Sequence, residues 1–453
     1  MGPLSDPDAI RATLEPVAGW GRHPVRPGRV WRAERLDLVP AGAVLPRGLG
    51  RAYGDAAVPA SPDTCVVATP GADRILQWDP ESGRLTCEAG LALGEVLRLF
   101  LPRGWFPPVT PGTKFVTVGG CVAADVHGKN HHRDGCFGRF VDGLRLRVAG
   151  GSEVSCGPGV ERDLFLATVG GMGLTGLITE VTFRLRPVEG PWMMAESVAV
   201  PHLDGMLEGL RSSARDWPYT VGWIDSLARG ARLGRGILIR GRHARAAEVG
   251  PRHPARARAL AVPLDAPGWL LGSALVRAFN ALYYRRHRRA TGLRIEFHED
   301  FFYPLDAIRD WNRLYGRRGF LQYQCVVPRA AGAGAIARIL DRLAVAAAAS
   351  FLSVIKDCGP ESDAFLSFPM EGTTLALDLP YRKGPTEALV HELNALVIAA
   401  GGRIYLAKDA VTRAEDFARM MPRLGAWLAV RDRWDPERRF RSALSARLFG
   451  DPA

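Results

Sequence analysis

Two periodicities trade places along the chain. Where apolar residues recur at every second position, the side chains of an extended segment point alternately to two faces, and a half-buried strand is expected. Val181, Phe183 and Leu185 alternate in this way with Thr182, Arg184 and Arg186 until Pro187 ends the run. The same reading predicts strands at 43–45, 65–67, 144–148, 219–224, 236–240, 321–328, 364–368 and 374–379. Strands at 75–78 and 85–89 flank Asp79-Pro80-Glu81-Ser82-Gly83 and read as a hairpin. Helical spacing appears at 93–101, through Val96, Leu97 and Phe100, and again at 335–349, 386–400 and 413–421. Gly401-Gly402 closes the third of these helices.

The stretch 107–138 fits neither pattern. It carries Gly112, Gly119, Gly120, Gly128, Gly135 and Gly138 among small apolar residues, with His127, Lys129, His131 and His132 close behind. Small side chains let backbone approach a flat or bulky group, and glycine N–H groups suit an anion such as a pyrophosphate. The histidines and lysine add proton donors and positive charge. Their spacing lacks the HExxH or CxxC…H patterns of a zinc site, so no metal is expected. The strand at 43–45 runs into Gly48-Leu49-Gly50, a second candidate cradle. Gly171, Gly173 and Gly176 match GxGxxG, but a strand follows where a dinucleotide fold needs a helix. Those glycines read instead as sites of close packing or close approach to a cofactor.

Composition narrows the class. A chain of 453 residues, 47% hydrophobic and 23% charged, suits two or three globular domains. No apolar run reaches about 18 residues, and residues 1–20 lack the apolar core of a signal peptide. Residence in the cytoplasm is the expectation. The seven cysteines are scattered and never form CxxC, as expected of reduced thiols. The net charge of +12 allows phosphorylated or lipid partners, while the absence of zinc-finger, RNP and basic-zipper motifs argues against nucleic acid. From about 191, glycine loops thin out. Residues 243–265 are basic and proline-interrupted, which predicts a mobile surface loop. Residues 266–289 run from Trp269, Leu270 and Leu271 to Arg285, Arg286, His287, Arg288 and Arg289. That layout fits an interfacial helix beside anionic lipid, and equally a core-packed helix with a solvated basic end. On spacing alone, Gln322 and Gln324 share a solvent-facing side of their strand, although such amides can also bond sugar hydroxyls.

Several motifs occur in order along almost the whole chain: GWGR at 19–22, RGLGRAYGDAA at 47–57, PGTKFVTVGGCVAADVHGKNHH at 111–132, GGMGLTG at 170–176, FLQYQCVVP at 320–328, FLSVIK at 351–356 and YLAKD at 405–409. Together they resemble the vanillyl-alcohol oxidase/p-cresol methylhydroxylase superfamily of FAD enzymes. Within it they are most similar to the oxidase subunits of decaprenylphosphoryl-ribose 2-epimerases. The resemblance implies an α+β chain. A split FAD-binding domain of the p-cresol methylhydroxylase type, 1–190 with 395–453, would enclose an inserted α+β substrate domain, 191–394, built on an antiparallel sheet. It implies non-covalent FAD, because GLGRAYG lacks the histidine that tethers the flavin in many members.

By motif match, Arg47, Gly48, Gly50, Arg51, Tyr53, Gly54 and Asp55 would cradle the cofactor. Pro111, Gly112, Thr113, Thr117, Gly119, Gly120, Ala123, Ala124, His127, Gly128 and Asn130 would line it. Gly171, Gly173, Gly176 and Ile178 would take its adenine side. Lys408, His127 and Lys129 are the implied catalytic residues. Gln322, Gln324, Lys356, Tyr303 and Trp223 would meet the substrate. The implied reaction oxidises the 2-hydroxyl of a polyprenyl-phosphate-linked ribose, with hydride passing to flavin N5 and the proton to a base. An NAD(P)H-dependent reductase partner follows from the same resemblance, and the basic segment 285–289 fits a peripheral place at the inner membrane surface. Ala376 and Cys358 stand where members often carry cysteine and phenylalanine, and the motif around Ser442 is altered, so the sugar and lipid are open to change. A soluble sugar or aldonolactone oxidase of the same superfamily is the alternative enzyme. A non-catalytic basic lipid- or phosphate-binding protein is the alternative from another class.

Overall fold

A computed structural model of the chain describes residues 11–453 apart from 39, 41, 253–259, 268–271, 290, 291 and 349. It mixes helices with sheets that are largely antiparallel. A four-stranded sheet has the order Thr13–Ala18, Val25–Arg32, Cys65–Ala68, Val44–Arg47, the last three strands parallel. A five-stranded antiparallel sheet follows: Ile75–Asp79, Arg84–Glu88, Leu177–Arg184, Val141–Arg147, Glu153–Cys156. Val181 and Phe183 point from it into a core shared with the Val118–Ala123 helix, as the alternation requires.

The eight-stranded antiparallel sheet positions the site. Its order is Leu293–Phe297, Trp192–Val200, Gly236–His243, Tyr219–Ile224, Ser353–Cys358, Gly372–Pro380, Phe320–Pro328, Arg403–Ile404. One face is apolar: Ile224, Leu321, Tyr323, Cys325, Ile355, Leu375, Leu377 and Leu379 pack with the Leu203–Ser213, Gly332–Val345 and Pro385–Ala399 helices. Because side chains alternate, the residues between them face the opposite side. The register pairs Gln322 with Asp378, Gln324 with Ala376, and Lys356 with Thr374, so these line up on that second face.

After Ile404 the chain returns to the N-terminal half. Trp427 Nε1 donates to the Ala167 carbonyl at 3.0 Å, and Phe440 bridges to Val44. Arg431, fully buried, donates to the carbonyls of Leu174 and Phe440 and forms a two-pronged ion pair with buried Asp451.

Two expectations need correction. The predicted strand at 364–368 is a buried loop, apolar because it packs across the halves: Phe365 N–H donates to the Leu166 carbonyl and Ser367 Oγ to Asp125. Residues 253–259 lie outside the described residues, and the rest of the segment 243–265 is not simply a mobile loop. It holds a short helix, Ala246–Val249, and the strand Leu260–Ala261 paired with Ile308–Arg309, and Asp265 is clamped by Arg22 and Arg313. The basic helix spans Ser273–Arg289; Trp269, Leu270 and Leu271 lie outside the described residues. All seven cysteines are buried free thiols.

Asp451→Ala should strand a buried guanidinium and cost about 3–5 kcal/mol of stability. Removing the exposed partner of Arg438 with Asp432→Ala should cost under about 1 kcal/mol. Denaturant unfolding of the two variants checks the contrast, and equal small losses would remove the pair from the account.

Candidate active site

A cavity of about 600 Å³ lies between the glycine-rich loops and the second face of the eight-stranded sheet. The Val44–Arg47 strand feeds the first loop. Arg47 does not reach the cavity: its guanidinium donates to the carbonyls of Ala18 and Ala57, and burial pushes its pKa down to about 10. Gly50 wraps over it with φ of +63°, where a Cβ would sit 2.2 Å from Arg47 Nη2. Leu49, Gly50, Arg51 and Ala52 line the cavity, and among the described residues no backbone carbonyl accepts from their N–H groups. Arg51 stacks over Trp20, 4.0 Å from the ring centre.

The loop then docks on the C-terminal segment. Tyr53 N–H donates to the Ala407 carbonyl at 2.8 Å and Asp55 N–H to the Asp409 carbonyl at 3.2 Å. A Cβ on Gly54 would lie 1.6 Å from that same Asp409 oxygen, so only glycine fits. Arg447 donates to both oxygens of Asp55 and forms an ion pair with Asp409 at 2.9 Å. This seam brings Lys408 Nζ to 3.7 Å from the centre of the Tyr53 ring, on the cavity wall.

Pro111, Gly112, Thr113, Thr117, Gly120, Ala123, Ala124 and Gly128 form another part of the wall. Thr117 caps the Val118–Ala123 helix by accepting from Gly120 N–H. A Cβ at Gly112 would meet nothing within 4 Å. From the sheet come Gln322, Gln324, Lys356, Ala376, Val354 and Trp223. Gln322 and Gln324 do share a face, but not a solvent-facing one. They are 6% and 5% exposed, because that face is roofed by the loops.

His127 is the hub of the polar end. Its Nε2 lies 2.9 Å from Gln324 Nε2 and its Nδ1 3.1 Å from Lys356 Nζ. Burial, reinforced by the Lys356 charge, holds its pKa well below the ordinary value, so the imidazole is neutral at pH 7. A neutral ring has one N–H. When Lys356 is an ammonium it donates to Nδ1, and Gln324 must turn its amide oxygen to Nε2–H. Burial also lowers the lysines: Lys129 and Lys408 to about 7, Lys356 to about 8. Lys129 Nζ donates to the Phe302 carbonyl. Behind Gln322, Asp378 accepts from Gln322 Nε2 at 2.6 Å and Tyr315 OH at 3.0 Å; burial pushes its carboxyl up to about 7, and its charge favours protonated Lys408.

Other expected site residues stand behind the wall. Gly54 and Asp55 belong to the seam, and Gly119 packs on Ala89. Asn130 donates to the Pro108 carbonyl and Asp134. Gly171, Gly173 and Gly176 shape a turn from which Met172 reaches the cavity, and Ile178 is buried in the N-terminal core. Tyr303 turns away into an aromatic cluster and bonds Thr110, leaving Phe301 and Phe302 on the wall. His131 accepts from Gly359 N–H, and among the described residues no cluster of metal ligands occurs. Sequence reading missed Asp378. Its signal was an acid alternating with Leu375, Leu377 and Leu379.

Comparison with known proteins decides the family. A model of the FAD binding domain matches residues 41–157, and one of D-arabinono-1,4-lactone oxidase matches 317–448. The decaprenylphosphoryl-beta-D-ribose oxidase of Mycolicibacterium smegmatis is 36% identical over 96% of this chain and 98% of its own. The chain belongs to the decaprenylphosphoryl-beta-D-ribose oxidase family. It is an FAD-dependent oxidoreductase. An uncharacterised Streptomyces coelicolor protein is 34% identical over 79% of the chain and all of its own length. A putative D-arabinono-1,4-lactone oxidase of Neurospora crassa is 28% identical over 25% of the chain and 20% of its own. The site suits the cofactor: among the described residues no backbone carbonyl takes the N–H groups of 49–52, and Gly112 leaves open space.

Gly54→Ala should push the first loop off Asp409 and leave the purified protein with a smaller flavin absorbance per chain. Full flavin content would show that this contact does not hold the cradle.

Proposed function

We propose that the protein oxidises the 2-hydroxyl of a pentose carried on a polyprenyl phosphate to the keto sugar, as the oxidative half of an epimerisation. The observation that carries this reading is the convergence of Lys129, Lys356 and Lys408 on one cavity whose wall also carries the apolar Val221, Trp223, Ile239, Phe302 and Val354. Cations suit a phosphate ester, Gln322, Gln324 and His127 suit sugar hydroxyls, and the apolar part of the wall suits an isoprenoid chain. The named activity of the Mycolicibacterium relative supports it.

In this reading residues 1–190 and 395–453 form a split FAD domain of the p-cresol methylhydroxylase type, and 191–394 the inserted substrate domain. Residues 48–53, 111–120 and 123–128 hold FAD without a covalent bond. Bound FAD supplies the two-electron acceptor for the C–H bond broken at the sugar carbon. Lys408 takes the hydroxyl proton on Nζ, which its lowered pKa permits near neutral pH. Neutral His127, fixed by Gln324 and Lys356, orients the sugar. The keto product then passes to an NAD(P)H-dependent reductase. The lactone-oxidase match at 317–448 favours a second reading, oxidation of a free aldonolactone, but a neutral lactone has no use for the clustered cations.

Anaerobic titration of the flavin absorbance distinguishes the two. Bleaching by polyprenylphosphoryl ribose, and not by free pentoses or aldonolactones, is expected. The reverse pattern would install the second reading. Because Lys408 acts as the neutral amine, kcat/KM should rise with pH through about 7, and it should fall again above about 8 as Lys356 loses the charge that holds the phosphate. Asp378→Asn removes the charge that favours protonated Lys408, so the midpoint should move to lower pH. Lys408→Met should cost roughly 10²–10⁴-fold, and an unchanged rate would take the base elsewhere.

A further inference from the structure

The Ser273–Arg289 helix stands at the rim of the cavity, where Tyr283 and His287 form part of the lining. One stripe of it is held by the protein. Val276 is buried beside Leu227, Asn280 Nδ2 donates to Asp225 at 2.8 Å, and the Tyr283 ring sits 4.6 Å from that of Trp223. These positions and His287 follow the spacing i, i+4, i+7, i+11 of a single helix face. The face turned outward begins with apolar residues: Leu275, Phe279 and Leu282 are 45%, 41% and 68% exposed. It continues into Arg285, Arg286 and Arg289, which with Arg277 and Arg288 are exposed. The helix contains no acidic residue, and none of these arginines forms an ion pair among the described residues. A helix packed only for the core would bury Leu and Phe and expose Asn. Here the polarity is inverted.

We propose that this helix docks the protein on an anionic lipid bilayer. Leu275, Phe279 and Leu282 enter the acyl boundary, and the arginines meet the headgroup phosphates. The charge is complementary, no acid among the described residues pairs with the arginines, and the same helix borders the cavity through Tyr283 and His287. Docking therefore sets the cavity beside the membrane surface. That a lipid-linked sugar enters there rests on the function proposed above; the docking itself does not.

The test is sedimentation of the FAD-loaded full chain with vesicles of phosphatidylcholine alone and of phosphatidylcholine mixed with phosphatidylglycerol. Binding to the mixed vesicles, weakened by salt, is expected. At about 1 kcal/mol per arginine near an anionic surface, the variant R285Q/R286Q/R288Q/R289Q should partition at least roughly a hundredfold more weakly. L275S/L282S should also lose binding; Phe279, whose ring packs 5.0 Å from that of Phe351, is left in place. Both sets of side chains are exposed, so flavin absorbance and the unfolding midpoint should stay at the parent values and certify the fold. No sedimentation with either vesicle, or variants that bind like the parent, would overturn the proposal. So would lipid-free self-association that the apolar variant abolishes, which would give the face to a second copy of the chain. No substrate is present, so the result is independent of which sugar reduces the flavin.

Discussion

Arg447, held between Asp55 and Asp409, ties together parts of the chain that lie 392 residues apart. Burial penalises the Asp55 carboxylate and the Arg447 guanidinium, so these charges are tolerable only together. Around it, two backbone hydrogen bonds and the close approach of Gly54 lock the first glycine loop against the turn that carries Lys408. The first glycine loop and Lys408 therefore arrive at the cavity as one unit. Neither would be placed by its own half of the chain.

The eight-stranded sheet does the complementary work. Its period-two alternation sends leucines to the helices on one side and Gln322, Gln324, Lys356 and Asp378 to the other. Tyr323, on the helix side, satisfies its hydroxyl on Asn394, so the buried face keeps few polar demands. The opposite face concentrates cations where water is scarce. That lowers the lysines toward neutrality and keeps His127 uncharged. Amines poised between charge states at pH 7 can both accept a proton and hold a phosphate, and a cavity rimmed by a basic helix extends the same electrostatics to its mouth.

Much of this was readable from the residues. The alternation at 181–185, the hairpin around Asp79-Pro80 and the strand after GxGxxG all follow from local rules that the structure obeys. The motifs of the glycine loops and YLAKD pointed to Tyr53, His127, Lys129 and Lys408, which do meet at one cavity. What local pattern could not supply was the identity of each environment. Gln322 and Gln324 look like a solvent face until the loops from residues 48 and 111 close over them. The segment 364–368 is apolar because it fills a seam between halves, not because it pairs as a strand. Tyr303 and Phe302 are adjacent in sequence, and only packing decides which ring faces the cavity. Asp378 was the opposite case: an acid in a leucine strand announces burial with a purpose, but its partners, Gln322 and Tyr315, come from elsewhere in the chain.

The most direct test is a crystal structure of the FAD-loaded protein, chemically reduced so that it cannot turn over, with polyprenylphosphoryl ribose bound. The account predicts the sugar 2-hydroxyl within hydrogen-bond distance of Lys408 Nζ, the phosphate beside Lys129 or Lys356, and the isoprenoid chain along Trp223 toward Tyr283. A phosphate remote from those lysines, or a sugar whose 2-hydroxyl faces away from Lys408, would contradict it.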